Sequence, residues 1–242
     1  MENKYVKIMD IDFLNTTKES FLNNYLKEHL NEEQKCFIVT ANPEIVMKTQ
    51  EDNFYKEIVQ SANYVVPDGI GIIFAAKLKR TPLSERIAGI ELMTELLNYA
   101  NKEQLRCYFL GAKEEVNKQA VANIQKQYPN LVVAGRHHGF FDLQDKTVVE
   151  KVATTSPDIV FVALGLPRQE QWIYESYNEF NKGVFIGVGG SFDVFAGVVK
   201  RAPEAWIRLN LEWLYRIIQQ PSRLFRAFSL VKFTVRALFH RK

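Results

Sequence analysis

At 242 residues, with 47% hydrophobic and 24% charged, the chain can bury a sizeable core and has an ordinary globular composition, which excludes a disordered or fibrous protein. It has no apolar run of about 18 residues, and its start, MENKYVKIMDIDF, has no apolar h-region, so neither a transmembrane helix nor a signal peptide is expected. The net charge of +3 is uneven: residues 200–242 carry ten Lys/Arg against Glu204 and Glu212, a charge of +8, which leaves −5 for the rest and points the tail at a negatively charged partner.

In chain order, Asp10-Ile11-Asp12 comes first. It matches the D-x-D pattern of metal-dependent sugar transferases, but it precedes any strong strand signal, and no metal is assigned to it. Strands are predicted over 36–40, 64–66, 106–110, 131–134, 159–164 and 184–188, as short apolar, β-branched runs. Helical patterns fill 17–30, 43–61, 70–79, 89–102, 113–128, 146–154 and 167–181. Near-continuous apolar strands alternating with helices predict an α/β fold, with a mainly parallel, Rossmann-like sheet covered by helices on both faces. Cys36 and Cys107 each fall in a strand and read as buried thiols rather than a disulfide. Residues 1–199 would form the body and 200–242 a helical, basic C-terminal appendage.

Ligands of such sheets bind beyond the C-terminal ends of the strands, so the four most distinctive junctions matter most. In IVTANPEIV, Asn42 suits a helix cap before Pro43, or Thr40 and Asn42 present polar groups to an anion at a helix start. In VVPDGIG, Asp68 is either turn chemistry or a carboxylate able to act as a general base. In FVALGLPRQEQW, Gly165 lets the backbone approach a ligand, and Arg168 and Gln169 supply donors for a phosphate or sugar. In FIGVGGSFDVFAG, Gly187 and Gly189 fit a dinucleotide fingerprint, but Phe192 takes the third glycine's place, which disfavours a nicotinamide cofactor. Asp193 there is a ribose or base contact, or a first-turn acid. His137-His138 lacks the spacing of a metal pair, and no metal ligand set is predicted.

The tail turns helical after Pro203. In a predicted helix over 222–240, Ala227, Leu238, Val231, Leu224, Val235, Phe228 and Phe239 make one apolar arc, with Arg223, Arg226 and Arg236 off it. Such a helix packs on the core or lies in an anionic membrane interface, and the basic flank favours the interface. A nucleic-acid surface would leave the arc unused.

Taken together, VTANPE, PDGIG, Arg86-Ile87-Ala88-Gly89, LGLPRQE and GVGGSFDVFAG followed by KRAPEAW occur in the order found in the WecG/TagA/CpsF sugar transferases, and the resemblance spans nearly the whole chain. It looks most like the branch that makes the wall teichoic acid linkage unit. The resemblance implies an inverting, metal-independent glycosyltransferase without a cofactor. Its donor would be UDP-N-acetylmannosamine and its acceptor the 4-hydroxyl of undecaprenyl-diphosphate-linked N-acetylglucosamine. By the resemblance, Asp68 is the catalytic aspartate, with Thr40 and Asn42 lining its pocket. Arg86, Gln169, Gly187 and Asp193 fall on substrate-binding positions. Arg216, Arg223 and Arg226 best match appendage arginines that close over the diphosphates. The implied location is cytoplasmic, on the inner face of the plasma membrane, with self-association left open. The rival readings are the same fold using another UDP-sugar, such as N-acetylmannosaminuronic acid or glucose, and a non-catalytic nucleotide-binding membrane protein.

Overall fold

A computed structural model describes residues 3–209, 211–219 and 232–237. The chain opens with a hairpin that the sequence reading did not anticipate: β1 (Tyr5–Ile8) pairs antiparallel with β2 (Ile11–Leu14), with Ile8 opposite Ile11. Its two turn residues, Met9 and Asp10, both have positive φ (48° and 63°), the twist a two-residue hairpin needs, but without the Asn-Gly that usually announces it. The Asp10-Ile11-Asp12 acids are thereby given structural partners. Asp10 ion-pairs with Lys56 at 2.9 Å and Asp12 with Lys7 at 3.3 Å.

A helical segment follows, made of α1 (Lys18–Phe21), a π-helical turn (Leu22–Leu26) and α2 (Lys27–Asn31). Thr17 caps it by accepting from the Ser20 N–H at 3.2 Å. The main sheet has six strands: β3 (Lys35–Ala41), β4 (Tyr64–Pro67), β5 (Arg106–Gly111), β6 (Val132–His137), β7 (Ile159–Ala163) and β8 (Gly183–Gly187). Their order is β4-β3-β8-β7-β5-β6 and every pairing is parallel, as expected for apolar strands separated by helices.

The predicted helix over 43–61 is two helices, α3 (Pro43–Thr49) and α4 (Asn53–Gln60). Asp52 starts the second by accepting from the Tyr55 N–H at 3.0 Å, a cap that breaks one amphipathic pattern in two. The remaining helices are α5 (Ile70–Leu78), α6 (Gly89–Glu103), α7 (Glu114–Gln127), α8 (Lys146–Thr154), α9 (Arg168–Ser176), α10 (Ser191–Phe195), α11 (Glu204–Arg208) and α12 (Glu212–Gln219).

The strand period of two splits the core between the sheet faces. Phe37, Val39, Val65, Leu110, Val160 and Phe185 point to one face, under the hairpin, α3, α4, α5, α8 and α9. Cys36, Ile38, Val66, Phe109, Phe161 and Ile186 point to the other, under α1, α6, α7 and α10. Cys36 and Cys107 are both fully buried, and burial pushes both thiols well up, so they stay protonated.

The described part of the tail is fastened to the body. Within the helical stretch 232–237, Phe233 and Ala237 are buried in the first-face core, and Lys232 pairs with Glu51 at 3.1 Å. These residues lie off the predicted apolar arc. Val235, the described member of that arc, is 50% exposed on the opposite side. The helix thus docks on the core by one stripe and leaves Val235 outward. The arc residues Ala227, Leu238, Val231, Leu224, Phe228 and Phe239 lie outside the described residues. No helix among the described residues is long and apolar enough to cross a membrane.

Candidate active site

The chain runs from β3 to the β4 edge and then crosses to β5 on the other side, so strand order reverses around β3 and β8. In open parallel sheets the crevice at such a reversal, beyond the C-terminal strand ends, is where ligands bind. Thr40 and Asn42 (β3), Asp68 (β4), Gln169 (after β7), and Gly187 and Asp193 (β8 and α10) all belong to the ends of the four adjacent strands β4-β3-β8-β7.

Asp68 is not the cap of the following helix. That position belongs to Gly69, whose φ of 91° is costly for any residue with a Cβ. The Asp68 backbone extends the sheet instead. Its N–H donates to the Ala41 carbonyl at 2.9 Å, and the neighbouring Pro67 carbonyl accepts from the Ile87 N–H at 2.8 Å. Its carboxylate reaches the start of α6, where Oδ2 meets the Gly89 N–H at 3.4 Å.

Gly89 is also where Thr40 converges. A Cβ there would lie 3.0 Å from Thr40 Oγ1 and 3.8 Å from Asp68 Oδ2, so glycine keeps this corner open. Thr40 is buried and its hydroxyl donates to the Gly187 carbonyl at 3.2 Å. Gly187 is the hinge of the arrangement. A Cβ on it would sit 2.6 Å from Gln169 Nε2, so its missing side chain makes room for the Gln169 amide. Gln169 Oε1 accepts from the Gly189 N–H at 3.2 Å, and Nε2 donates to Glu170 Oε1 at 2.7 Å. Glu170, 1% exposed, accepts from the Tyr55 hydroxyl at 3.0 Å.

These contacts link Asp68, Thr40, Gly187 and Gln169 into one constellation. The other predicted residues are placed differently. Asn42 is a cap, accepting from the Ile45 N–H at 3.0 Å. Asp193 lies in the first turn of α10, where its carbonyl accepts from the Val198 and Val199 N–H groups at 2.9 and 3.1 Å. Arg168 donates to the Phe141 and Gly139 carbonyls at 2.7 and 3.3 Å, binding the loop after β6 rather than presenting those donors to a ligand. Phe192, in the third-glycine position, is buried against Phe109, their ring centres 6.1 Å apart. His137 faces its neighbour's backbone, with Nδ1 2.9 Å from the His138 carbonyl.

Residues 6–242 match the model of the glycosyl transferase WecG/TagA/CpsF family. The chain belongs to this family. Among its relatives, the N-acetylglucosaminyldiphosphoundecaprenol N-acetyl-beta-D-mannosaminyltransferase of Bacillus subtilis (strain 168) is 42% identical over 236 residues, 97% of this chain and 91% of the relative. The protein of that name from Staphylococcus aureus (strain MRSA252) is 42% identical over 226 residues, 93% of this chain and 89% of the relative. The one from Bacillus spizizenii (strain ATCC 23059 / NRRL B-14472 / W23) is 39% identical over 235 residues, 97% and 91%.

In this WecG/TagA/CpsF member, Arg86 is spent on carboxylates: Glu91 Oε1 at 3.3 Å and Glu212 Oε2, from α12, at 3.4 Å. Glu91 also holds Arg201 at 2.7 Å and Lys18 at 3.3 Å, so one acid ties α1, the loop before α6 and the appendage together. Arg216 lies in α12, but its side chain is outside the described residues, as are Arg223 and Arg226 altogether.

Glu91, Glu212, Tyr55 and Glu170 have no site role in the sequence reading. The one signal for Glu170 is its place in α9 beside Gln169 and the apolar Trp172 and Ile173, a run that turns to the core.

Burial is the main cause that lifts the Glu170 carboxyl to about 7, and the hydrogen bonds from Gln169 and Tyr55 only partly offset it. Its folded-state pKa lies above the unfolded value of 4.5, so the fold binds this proton more tightly. The stability it contributes is full at acid pH and falls as pH rises through about 7. Glu170→Gln is expected to gain roughly 2 kcal/mol on the wild type between pH 5 and pH 8. Urea unfolding of both proteins across that range checks this, and parallel pH curves would contradict it.

Proposed function

We propose that the protein is an inverting transferase that moves N-acetylmannosamine from UDP to the 4-hydroxyl of undecaprenyl-diphosphate-linked N-acetylglucosamine, in wall teichoic acid linkage-unit synthesis. The observation that carries the reading is the Asp68 carboxylate, held beside Thr40 at the reversal point of the sheet in a chain whose relatives bear that activity in their names. A sugar hydroxyl is a poor nucleophile until a base takes its proton. Asp68 serves as that base as the oxygen attacks the anomeric carbon opposite the departing UDP. One base is enough, and attack from the far face inverts the centre.

Leaving UDP develops charge on its diphosphate. Backbone N–H groups of the turn after β8 and arginines of the appendage are the groups proposed to meet it, which makes a metal unnecessary. Asn42, Gln169, Gly187 and Asp193 act here by shaping the crevice. Arg86 acts by holding α12 through Glu212. The +8 tail, with Leu209, Trp213, Ile218 and Val235 exposed, suits a protein resting on the anionic cytoplasmic face of the membrane, where such an acceptor is anchored.

A product assay tests this. Purified protein is mixed with UDP-N-acetylmannosamine and a short-chain diphospholipid-linked N-acetylglucosamine in excess EDTA, and UDP and lipid-linked disaccharide are followed by mass spectrometry. Both products are expected. Turnover that returns only on adding metal would contradict metal independence, and turnover with a different UDP-sugar alone would overturn the donor.

A further inference from the structure

We propose that Glu170 and Tyr55 are a positioning pair that sets which way round the Gln169 amide lies and, through it, the shape of the glycine turn after β8. The inference rests on reading that turn as part of the donor-diphosphate site.

An amide side chain has an acceptor end and a donor end of nearly equal shape, so packing alone does not choose between its two orientations. Here the choice is made chemically. In the ionised form both Glu170 oxygens are acceptors: Oε2 takes the Tyr55 hydroxyl at 3.0 Å and Oε1 takes Gln169 Nε2 at 2.7 Å. Holding one oxygen with Tyr55 stops the carboxylate turning away. The nitrogen end of Gln169 is therefore drawn to Glu170, and its oxygen end is left facing the Gly189 N–H at 3.2 Å. With the amide reversed, oxygen would face oxygen at buried Glu170 and N–H would face N–H at the part-buried Gly189.

The turn that this amide grips is closely specified. The Val188 carbonyl accepts from the Ser191 N–H at 3.1 Å and from its hydroxyl at 2.7 Å. The Gly187 carbonyl takes the Thr40 hydroxyl at 3.2 Å. Gly189, with φ of 49°, has no described atom within 4 Å of where a Cβ would stand, so among the described residues the turn faces open space on its other side. Tyr55 comes from α4 and Glu170 from α9, behind the sheet. Neither needs to touch a ligand to act.

The polarity argument makes a prediction that a merely space-filling role does not. At pH 8, where Glu170 is ionised in the wild type, Gln169→Glu places two carboxylates face to face. The full-length protein carrying it should bind UDP about tenfold more weakly by calorimetry. The KM for the sugar donor should rise to match, with the KM for the lipid acceptor within about twofold of wild type. Adding Glu170→Gln to that variant should restore UDP binding to within about threefold. In the double variant the two side chains have exchanged chemistry. The amide at position 170 donates to the carboxylate at position 169 and accepts from Tyr55, while that carboxylate still accepts from the Gly189 N–H.

A second variant, Glu170→Met, keeps volume and removes the acceptors, and it should show the same donor-side defect if it unfolds cooperatively. A swapped double variant as impaired as Gln169→Glu overturns the proposal, because Gln169 would then be acting on the ligand itself. So does a folded Glu170→Met with wild-type UDP affinity. Wild-type protein that binds no UDP overturns the donor reading instead, which keeps the two failures apart.

Discussion

Asp68→Asn should leave a folded protein with wild-type affinity for UDP and a turnover lower by roughly 10²–10⁴-fold, the usual contribution of a positioned general base. The substitution is close to isosteric. The backbone contacts that hold residue 68, to Ala41 and through Pro67 to Ile87, involve no side-chain atom and are preserved. The carboxamide oxygen can still accept from the Gly89 N–H. What disappears is a group able to take the acceptor's proton. Single-turnover measurements on preformed complexes locate the loss in the chemical step, and calorimetry with UDP checks that the crevice is intact. Turnover near the wild-type value would remove Asp68 from the mechanism. A loss confined to the acceptor KM would make it a binding group.

Removing residues 198–242 should have the second largest effect, on two observables at once. Turnover on lipid-linked acceptor should fall by about 10²-fold or more, because the arginines proposed to meet the diphosphate go with the tail. The body should also lose stability, by roughly 2–3 kcal/mol, since the pocket for Phe233 is emptied. Arg86 and Glu91 lose Glu212 and Arg201. Thermal unfolding should stay cooperative with a lower midpoint. Undiminished turnover in the truncated protein would contradict the catalytic role of the tail, and an unchanged midpoint would contradict its docking on the core.

The parallel sheet was legible because each strand is a continuous apolar run bounded by turn chemistry, and the junction residues were legible because the fold dictates where to look. What stayed hidden depends on contacts with no local signature. The first hairpin turns on Met9 and Asp10, neither of which advertises positive φ. The break between α3 and α4 rests on Asp52, one acid in a polar stretch. Arg86 falls on a substrate-binding position by resemblance, and nothing local in the sequence announces the partner 126 residues away that holds it. Glu170 is the clearest case. A glutamate in a helix reads as a solvated face, and only the tertiary structure supplies the hydroxyl and amide that let it be buried. Asn42 was legible as a cap from its place before Pro43, and the cap is what the structure contains.

The 2.6 Å gap at Gly187 also bears on how this site can change over generations. A methyl group at 187 demands a smaller residue at 169. A smaller residue at 169 strands Glu170 and the Gly189 N–H. Replacing Glu170 in turn frees the Tyr55 hydroxyl. Each single step is penalised until the others have been taken, so effects of substitutions at 55, 169, 170 and 187 should be strongly non-additive. Gly189 and Gly165 offer no easy way round: no described atom lies within 4 Å of an added Cβ at either, yet their φ values of 49° and 75° strain any residue that carries one.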